Sequence, residues 1–263
     1  MNVATNISPI AINHSFMAIL RDKIVWNYIM SDPTNKSFLN RSSLRDLVLL
    51  LCFVSALIYK FNTFNVIVGF FLLATGSFLH MVAKGILIRN VVLSNKGIYG
   101  IVRHPYYLAN YLVDISFCIL SSNLYLLLVY PFLFFWAYGP TLRKEEEYLA
   151  TQHGDSFINY SFEIPQVLPD GTSLKKWRNI FEGFSLKRIS IKECSRVARF
   201  LSVGFALVLV HELKDESLEG LKHLLLPTKH DYDEFVFLMI AIVLFVFSVI
   251  LMRIADRHRE ARD

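Results

Sequence analysis

The chain has 263 residues, of which 54% are hydrophobic and 19% are charged, and its mean hydropathy is +0.42. Soluble domains of this length rarely average above zero, so the composition indicates a membrane protein. The net charge of +5 is too small to indicate a nucleic-acid partner, and the three cysteines have no spacing typical of a metal site or a disulfide framework.

The N-terminal segment contains one amphipathic stretch, at residues 14–30. Phe16, Leu20, Ile24 and Tyr28 recur there every four residues, which predicts a helix lying in the membrane interface. A helix that contacts a soluble partner fits the same pattern equally well.

Six segments are apolar enough to cross a bilayer, whose hydrocarbon core needs about 17–25 helical residues. They cover residues 44–59, 64–86, 105–120, 124–138, 198–210 and 235–252. The first is short, and the fifth is weak enough to fit a re-entrant or interfacial helix as well. Because only Ser121, Ser122 and Asn123 separate the third and fourth segments, these two are predicted to form an antiparallel helical hairpin.

Most lysines and arginines fall on one side of this six-span arrangement. That side carries Arg21, Lys23, Lys36, Arg41, Lys84, Arg89, Lys96, Arg103, every lysine and arginine from 143 to 199, and Arg253, Arg257, Arg259 and Arg262. The other side carries Lys60, the uncharged hairpin turn and an acidic loop with Glu212, Asp215, Glu216, Glu219, Asp231 and Asp233. By the positive-inside rule, both termini and the long 143–199 segment are predicted to be cytoplasmic.

An Arg-His-Pro sequence, Arg103 to Pro105, stands directly before the third span. Proline suits the first turn of a helix, and His104, which precedes it, is pushed away from helical geometry. The third span is therefore predicted to begin at Pro105, with free backbone N–H groups beside Arg103 that suit an anion such as a carboxylate. An ordinary helix cap, with Arg103 touching lipid headgroups, fits the same spacing.

Three consecutive glutamates, residues 145–147, follow the fourth span. Pro140 can open a helix before them and Gly154 can close it. A solvated helix face explains such a run, with Arg143 paired to the second or third glutamate. The predicted hairpin, however, brings the cytoplasmic ends of spans three and four side by side, and with them the glutamates and the Arg-His-Pro sequence. Opposite charges that meet at the membrane interface indicate a binding pocket.

The stretch GIYGIVRHPYYLAN, an apolar hairpin, RKEEEYLATQHGDSFINY and IPQVLP follow one another in that order. This order resembles the isoprenylcysteine carboxyl methyltransferase and phospholipid methyltransferase superfamily. The matching residues are Gly97, Tyr99, Arg103, His104, Pro105, Tyr107, Glu145, Glu146, Gly154, Tyr160, Pro165 and Pro169. Three positions depart from the superfamily pattern. Ala109 replaces a glycine, His153 a phenylalanine and Phe157 a tyrosine. These replacements are expected to affect which substrate is accepted more than whether the cofactor binds.

The resemblance implies S-adenosylmethionine as methyl donor, bound on the cytoplasmic side between the hairpin and the segment after it. Glu145 or Glu146 would meet its amino group or ribose, and Arg103 with the amides at the start of span three would meet its carboxylate. Tyrosine rings would stack on adenine or face the sulfonium. The predicted cofactor-binding residues are thus Gly97, Tyr99, Arg103, His104, Pro105, Tyr106, Tyr107, Glu145 and Glu146.

Polar residues inside the spans have two interpretations each. Asp114 lies four residues after Asn110 at membrane depth, where ionisable groups usually face an interior or a wet cavity. It is either a substrate contact or a structural hydrogen bond to a neighbouring span. The sequence does not decide between a structural and a functional role for His80. For Lys84, near the end of the second span, the favoured interpretation is that its side chain extends to the membrane surface. The predicted catalytic residues are Arg103, Glu146 and Asp114, and no metal site is predicted.

These observations predict an all-α, polytopic membrane bundle with three regions: an N-terminal segment (1–43), a methyltransferase core (44–169) and a C-terminal extension (170–263). Trp177, Phe181 and Phe184, set among basic residues, indicate an interfacial helix on anionic lipid in that extension. The expected protein is multi-pass, resides in a plasma, inner or endoplasmic reticulum membrane, and has a cytoplasmic active site.

The expected reaction is carboxyl O-methylation or amine N-methylation of a lipid-like or prenylated acceptor that enters from the bilayer. Direct displacement needs alignment and water exclusion more than a strong acid or base. Two alternatives stay open: an NADPH-dependent reductase of the steroid or sterol reductase type, which has a related hairpin, and a non-catalytic membrane scaffold. The Glu-Glu pair followed by Gly-x-x-Phe-x-x-Tyr favours the methyltransferase.

Overall fold

The computed structural model describes residues 41–60, 62–88, 92–215 and 232–260, and these residues contain helices and no strand. The α-helices are α1 (Arg41–Ile58), α2 (Thr63–Ile86), α3 (Pro105–Leu120), α4 (Leu124–His153), α5 (Asp155–Glu163), α6 (Ile191–Asp215) and α7 (Tyr232–Glu260). Short 3-10 segments occur at Gly97–Gly100, Ser173–Asn179 and Leu186–Arg188. The predicted all-α membrane fold is confirmed. The predicted helix at 14–30 and residues 216–231 of the acidic loop lie outside the described residues.

Each predicted span falls on a helix of the structure. Helices α2, α4, α6 and α7 are long and apolar enough to cross a membrane. Helix α1 has 18 residues and includes Arg41, Arg45 and Asp46, and α3 has 16 residues, so a full crossing by these two stays a prediction. Helix α6 has 25 residues, which makes it longer than the predicted fifth span and unlike a short re-entrant segment.

The hairpin of α3 and α4 begins and turns where the sequence predicts. Helix α3 begins at Pro105, and His104 before it is non-helical, with φ −122° and ψ 68°. In the turn, Ser122 has a φ of 56°, and the Asn123 side chain accepts a hydrogen bond of 2.9 Å from the Leu126 N–H. This side-chain cap satisfies one of the free N–H groups at the start of α4.

Helix α4 does not break at Pro140, which corrects the separate helix predicted after span four. It runs through Pro131 and Pro140 to His153, although each proline removes one backbone hydrogen bond. Gly154, with a φ of 52°, ends it as predicted, and the Gly154 N–H donates to the Ala150 carbonyl. The glutamates 145–147 therefore lie on the same continuous helix as the fourth span, so the hairpin itself fixes their position.

Close packing holds α2 against α3. A Cβ added at Gly76 would lie 2.9 Å from the Ala109 carbonyl oxygen and 2.8 Å from Val113 Cγ2, so only glycine permits this approach. Ala109, at the position where the superfamily has glycine, is fully buried. Its backbone at this contact helps to set the distance between the two helices.

The C-terminal helices α6 and α7 form a pair held by small polar side chains. The Ser195 hydroxyl donates to the Ser248 carbonyl, and the Ser202 hydroxyl donates to the Ala241 carbonyl, each at 2.8 Å. Such bonds between helices are typical of membrane bundles. A Cβ added at Gly204 of α6 would lie 2.6 Å from Leu73 Cδ2 of α2, so this pair also packs directly on the core.

The segment between α5 and α6, where an interfacial helix is predicted, contains short 3-10 helices in place of an α-helix. Its helical parts are the 3-10 segments at Ser173–Asn179 and Leu186–Arg188. The Trp177 and Phe181 side chains are exposed, which leaves them available for the membrane interface. Phe184 instead turns inward, with its ring against Gly85 at the end of α2.

Candidate functional site

A cavity of about 820 Å³ lies among α1, α2, α3, α4 and α6. Its volume is within the range of about 300–1,000 Å³ typical of small-molecule and cofactor sites. It is lined by Arg41, Arg45, His80, Leu87, Tyr106, Tyr107, Asn110, Tyr138, Thr141, Lys144, Glu145, Tyr148, Leu149, Glu193 and Arg196. Charges of both signs and four tyrosines therefore surround one space, which suits a ligand that has a cation, an anion and an aromatic part.

Arg103 joins the hairpin to the segment that follows α5. Its Nε and Nη2 each lie 2.9 Å from Oε1 of Glu146, and its Nη1 donates to the Ile164 carbonyl at 3.0 Å and to the Ser161 carbonyl. The backbone N–H of Arg103 also donates to the Pro165 carbonyl. The side chain is 7% exposed and is not among the lining residues of the cavity. The guanidinium is thus engaged by protein groups, a geometry that favours a positioning role.

The three adjacent glutamates have three different environments. Glu145 lines the cavity, has a side chain 44% exposed, and accepts a hydrogen bond of 2.7 Å from the Tyr107 hydroxyl. Glu146 lies behind it, against Arg103. Glu147 points outward and pairs with Arg143 at 2.9 Å between exposed side chains. Of the three carboxylates, the one that faces the cavity is therefore Glu145.

His104 lies between the two inward glutamates. Its Nε2 is 3.2 Å from Glu146 Oε1, and its Nδ1 is 3.7 Å from Glu145 Oε2. The backbone N–H of His104 donates to the Gln166 carbonyl at 2.9 Å. The backbone before α3 is thus bonded to the 165–166 segment, and the His104 ring supports the glutamate wall of the cavity.

Gly97 and Tyr99, which precede the Arg-His-Pro sequence, pack behind the cavity wall and do not face the cavity. Tyr99 is buried and its hydroxyl donates to the Ala83 carbonyl, while the Tyr160 hydroxyl donates to the Tyr99 carbonyl at 2.6 Å. Burial raises the pKa of Tyr160, which keeps its hydroxyl a donor. Gly97 has a φ of 59°, and a Cβ there would lie 2.9 Å from the Ile180 carbonyl. Gly97 and Tyr99 do not line the cavity, whereas Tyr106 and Tyr107 do.

Asp114 is buried in α3 and also lies outside the cavity lining. Its Oδ1 is 3.0 Å from Nη2 of Arg45, and its Oδ2 accepts a hydrogen bond of 2.6 Å from the Tyr130 hydroxyl. The Arg45 guanidinium lies 4.8 Å from the centre of the Phe200 ring. Asp114 thus links α1, α3 and α4, a geometry that favours the structural interpretation over a substrate contact.

A second charged cluster in the lining was not predicted from the sequence. His80 Nδ1 lies 3.3 Å from Oε2 of Glu193, and Arg196 Nη1 lies 2.7 Å from the same oxygen. Glu193 and Arg196 stand three residues apart at the start of α6, which was the available signal. No spacing in the sequence places them beside His80 of α2, because that contact depends on how the helices pack.

The comparison with protein families agrees with this geometry. Residues 67–151 match the model of the isoprenylcysteine carboxyl methyltransferase (ICMT) family. The matched segment extends from α2 into α4 and contains the Arg-His-Pro sequence and all three glutamates. No curated protein and no solved structure gives a significant match. The match covers about a third of the chain, and over this segment the chain is similar to the isoprenylcysteine carboxyl methyltransferase family.

Proposed function

We propose that this protein transfers a methyl group from S-adenosylmethionine to a lipid-like or prenylated acceptor at the cytoplasmic membrane interface. The observation that supports this proposal best is the Glu145–Tyr107 pair on the wall of the cavity, inside the segment that matches the family. Glu146, Arg103 and His104 fix that wall from behind. The acceptor atom is a carboxylate oxygen or an amine nitrogen.

The charges and rings in the lining fit the donor. S-adenosylmethionine has a cationic amino group, a cationic sulfonium and an anionic carboxylate. Glu145 is the carboxylate available to the amino group, because Glu146 is engaged with Arg103. The donor carboxylate is assigned to Lys144 and Arg41, two cations of the lining, rather than to Arg103. Tyr106 and Tyr107 offer aromatic faces to the sulfonium and the adenine.

The residues of this chain contribute binding, orientation and exclusion of water. When bound, S-adenosylmethionine supplies an electrophilic methyl group, whose carbon bonds to the acceptor atom while the C–S electron pair leaves on sulfur. A carboxylate acceptor needs no base, whereas an amine must release a proton. Alignment of the two reactants in one cavity is therefore the main contribution expected of the protein.

Calorimetry on the detergent-solubilised full chain tests the cofactor assignment. We expect S-adenosylmethionine to bind the unaltered protein and NADPH to give no heat of binding. Binding of NADPH in place of S-adenosylmethionine would support a reductase. Transfer of labelled methyl into a membrane lipid extract, followed by mass spectrometry, identifies the acceptor, and donor binding without any transfer would support a scaffold.

A further inference from the structure

Part of the cavity wall comes from outside the segment that matches the family. Residues 67–151 match, whereas Arg41 and Arg45 of α1 and Glu193 and Arg196 of α6 also line the cavity. A small charged cluster, formed by Glu193 and Arg196 of α6 together with His80 of α2, therefore belongs to the candidate site, and the match does not include α6. Within it, Arg196 is the cation and His80 with Glu193 are its neighbours.

Two residues of the cluster are buried, and the third is accessible from the cavity. The His80 side chain is 1% exposed and that of Glu193 is 10% exposed, whereas that of Arg196 is 44% exposed. Arg196 Nη1 lies 2.7 Å from Glu193 Oε2 and 3.5 Å from His80 Nε2. Both contacts use Nη1, and among the described residues none other bonds to this guanidinium. Glu193 and His80 therefore orient the Arg196 guanidinium, and its Nε and Nη2 groups stay available to donate hydrogen bonds to a ligand.

A helix-surface pair is the simplest alternative, since Glu193 and Arg196 stand three residues apart. Exposed pairs of that kind contribute little and need no third partner. Here the pair contacts His80, a buried histidine of α2, and α2 is one of the helices apolar enough to cross a membrane. Ionisable side chains in such helices are costly and usually functional. A merely solvated pair does not account for that arrangement.

The other cations of the lining already have assignments. Arg45 is paired with buried Asp114. Lys144 and Arg41 are assigned to the donor carboxylate under the proposed function. Arg196 remains, and it adjoins the reaction space through Tyr106, whose ring lies edge-on to His80 at 4.8 Å between ring centres. Tyr106 is followed in the chain by Tyr107, which bonds to Glu145.

We propose that Arg196 binds an anionic group of the methyl acceptor, and that Glu193 and His80 are positioning residues that orient it. This inference rests on the proposed function and extends it to the acceptor. The anion is either the carboxylate that becomes methylated or a lipid phosphate beside an amine, because a guanidinium fork binds both. Helix α6, held in place by α7, is then part of the active site and determines acceptor specificity.

Two matched probe pairs separate the two sources of the anion. The first pair is N-acetyl-S-farnesylcysteine and its carboxamide, and the second is oleoyl glycerol phosphate and oleoyl glycerol. Binding of each probe to the full chain in detergent gives the preference for the charged member. We expect a preference of about tenfold in one pair, the size of a charge-assisted hydrogen bond, and the pair that shows it identifies carboxylate or phosphate.

Variants on the same helix provide the controls. R196Q should abolish the preference, R196K should retain part of it, and E193Q should reduce it. E193Q should also lower the thermal midpoint, because its mostly buried carboxylate contacts both His80 and Arg196. In R196Q the loss of affinity for the charged probe should exceed any change in the Kd for S-adenosylmethionine. R199Q removes the same charge from an exposed position of α6 outside the cavity lining, and it should behave as the unaltered protein.

Three results would overturn the inference. These are no preference in either probe pair, a preference that survives in R196Q, and a loss of S-adenosylmethionine affinity in R196Q as large as the loss for the charged probe. Failure of the proposed function is a separate result, because an unaltered protein that binds no S-adenosylmethionine fails before any acceptor is added.

Discussion

Arg103 and Glu146 are 43 positions apart in the chain, yet Nε and Nη2 of Arg103 each lie 2.9 Å from Oε1 of Glu146. The α3–α4 hairpin makes this contact possible, because it returns the chain to the end of the helix bundle where α3 began. The same arginine also bonds to the Ile164 carbonyl. One side chain thus joins the start of α3, the glutamate run of α4 and the segment after α5.

Loss of this pair should lower stability and donor affinity together. R103Q leaves Glu146 without its main partner in a mostly buried setting, and breaking such a pair typically costs about 3–5 kcal/mol. We expect a lower thermal midpoint in detergent and weaker binding of S-adenosylmethionine. R143Q breaks the exposed Arg143–Glu147 pair, which contributes about 0–1 kcal/mol, and should change neither quantity. Equal effects of the two variants would contradict the role assigned to Arg103.

Removal of the Tyr107 hydroxyl should weaken ligand binding more than it lowers the stability of the fold. Y107F keeps the ring and removes the hydroxyl that donates to Glu145, a bond expected to contribute about 1 kcal/mol to stability. Without it, Glu145 is less well oriented, so the Kd for S-adenosylmethionine should rise by about tenfold. Y125F, at an exposed tyrosine of α4, is the control. An unchanged Kd for Y107F would remove Tyr107 from the site.

Asp114 should act through stability. D114N leaves the Arg45 guanidinium without its buried counter-charge, so we expect a loss of roughly 3–5 kcal/mol and a lower thermal midpoint. The Kd for S-adenosylmethionine of the folded fraction should stay unchanged. D46N, at an exposed carboxylate of α1, should be neutral. If D114N instead lowers kcat with the midpoint intact, Asp114 is the catalytic residue that the sequence suggests.

Gly76 should be intolerant of any side chain. G76A places a Cβ 2.9 Å from the Ala109 carbonyl oxygen, which forces α2 and α3 apart and costs about 1–3 kcal/mol as an overpacked contact. We expect a lower thermal midpoint. G171A adds a Cβ where nothing lies within 4 Å and should leave the midpoint unchanged. A G76A protein as stable as G171A would show that the helices do not need this approach.

The sequence predicted those features that depend on local rules. Proline at the first helical position marked the start of α3, a three-residue link marked the hairpin, and Gly154 marked the end of α4. The local rule for proline was wrong at Pro140, because α4 continues through it. The hairpin then placed Arg103 and the glutamates together, as inferred from the short turn.

The contacts that depend on distant packing were not predictable. The carbonyls that accept hydrogen bonds from Arg103 belong to Ser161, in the last turn of α5, and to Ile164, directly after it. No spacing in the sequence places them beside Arg103. The cluster of His80 with Glu193 and Arg196 depends on how α6 packs against α2. The sequence therefore indicates a ligand contact for Arg103, whereas in the structure its side-chain donors bond to protein groups.

The most direct test of the central claim is calorimetric titration of S-adenosylmethionine into the unaltered protein, E145Q and E147Q. Glu145 faces the cavity, whereas Glu147 is paired with Arg143 on the outside, so the two variants make the same chemical change at neighbouring positions. We predict that E147Q binds as the unaltered protein does and that the Kd of E145Q rises by at least about tenfold. Absence of binding to the unaltered protein, or equal affinities for all three, would contradict the account.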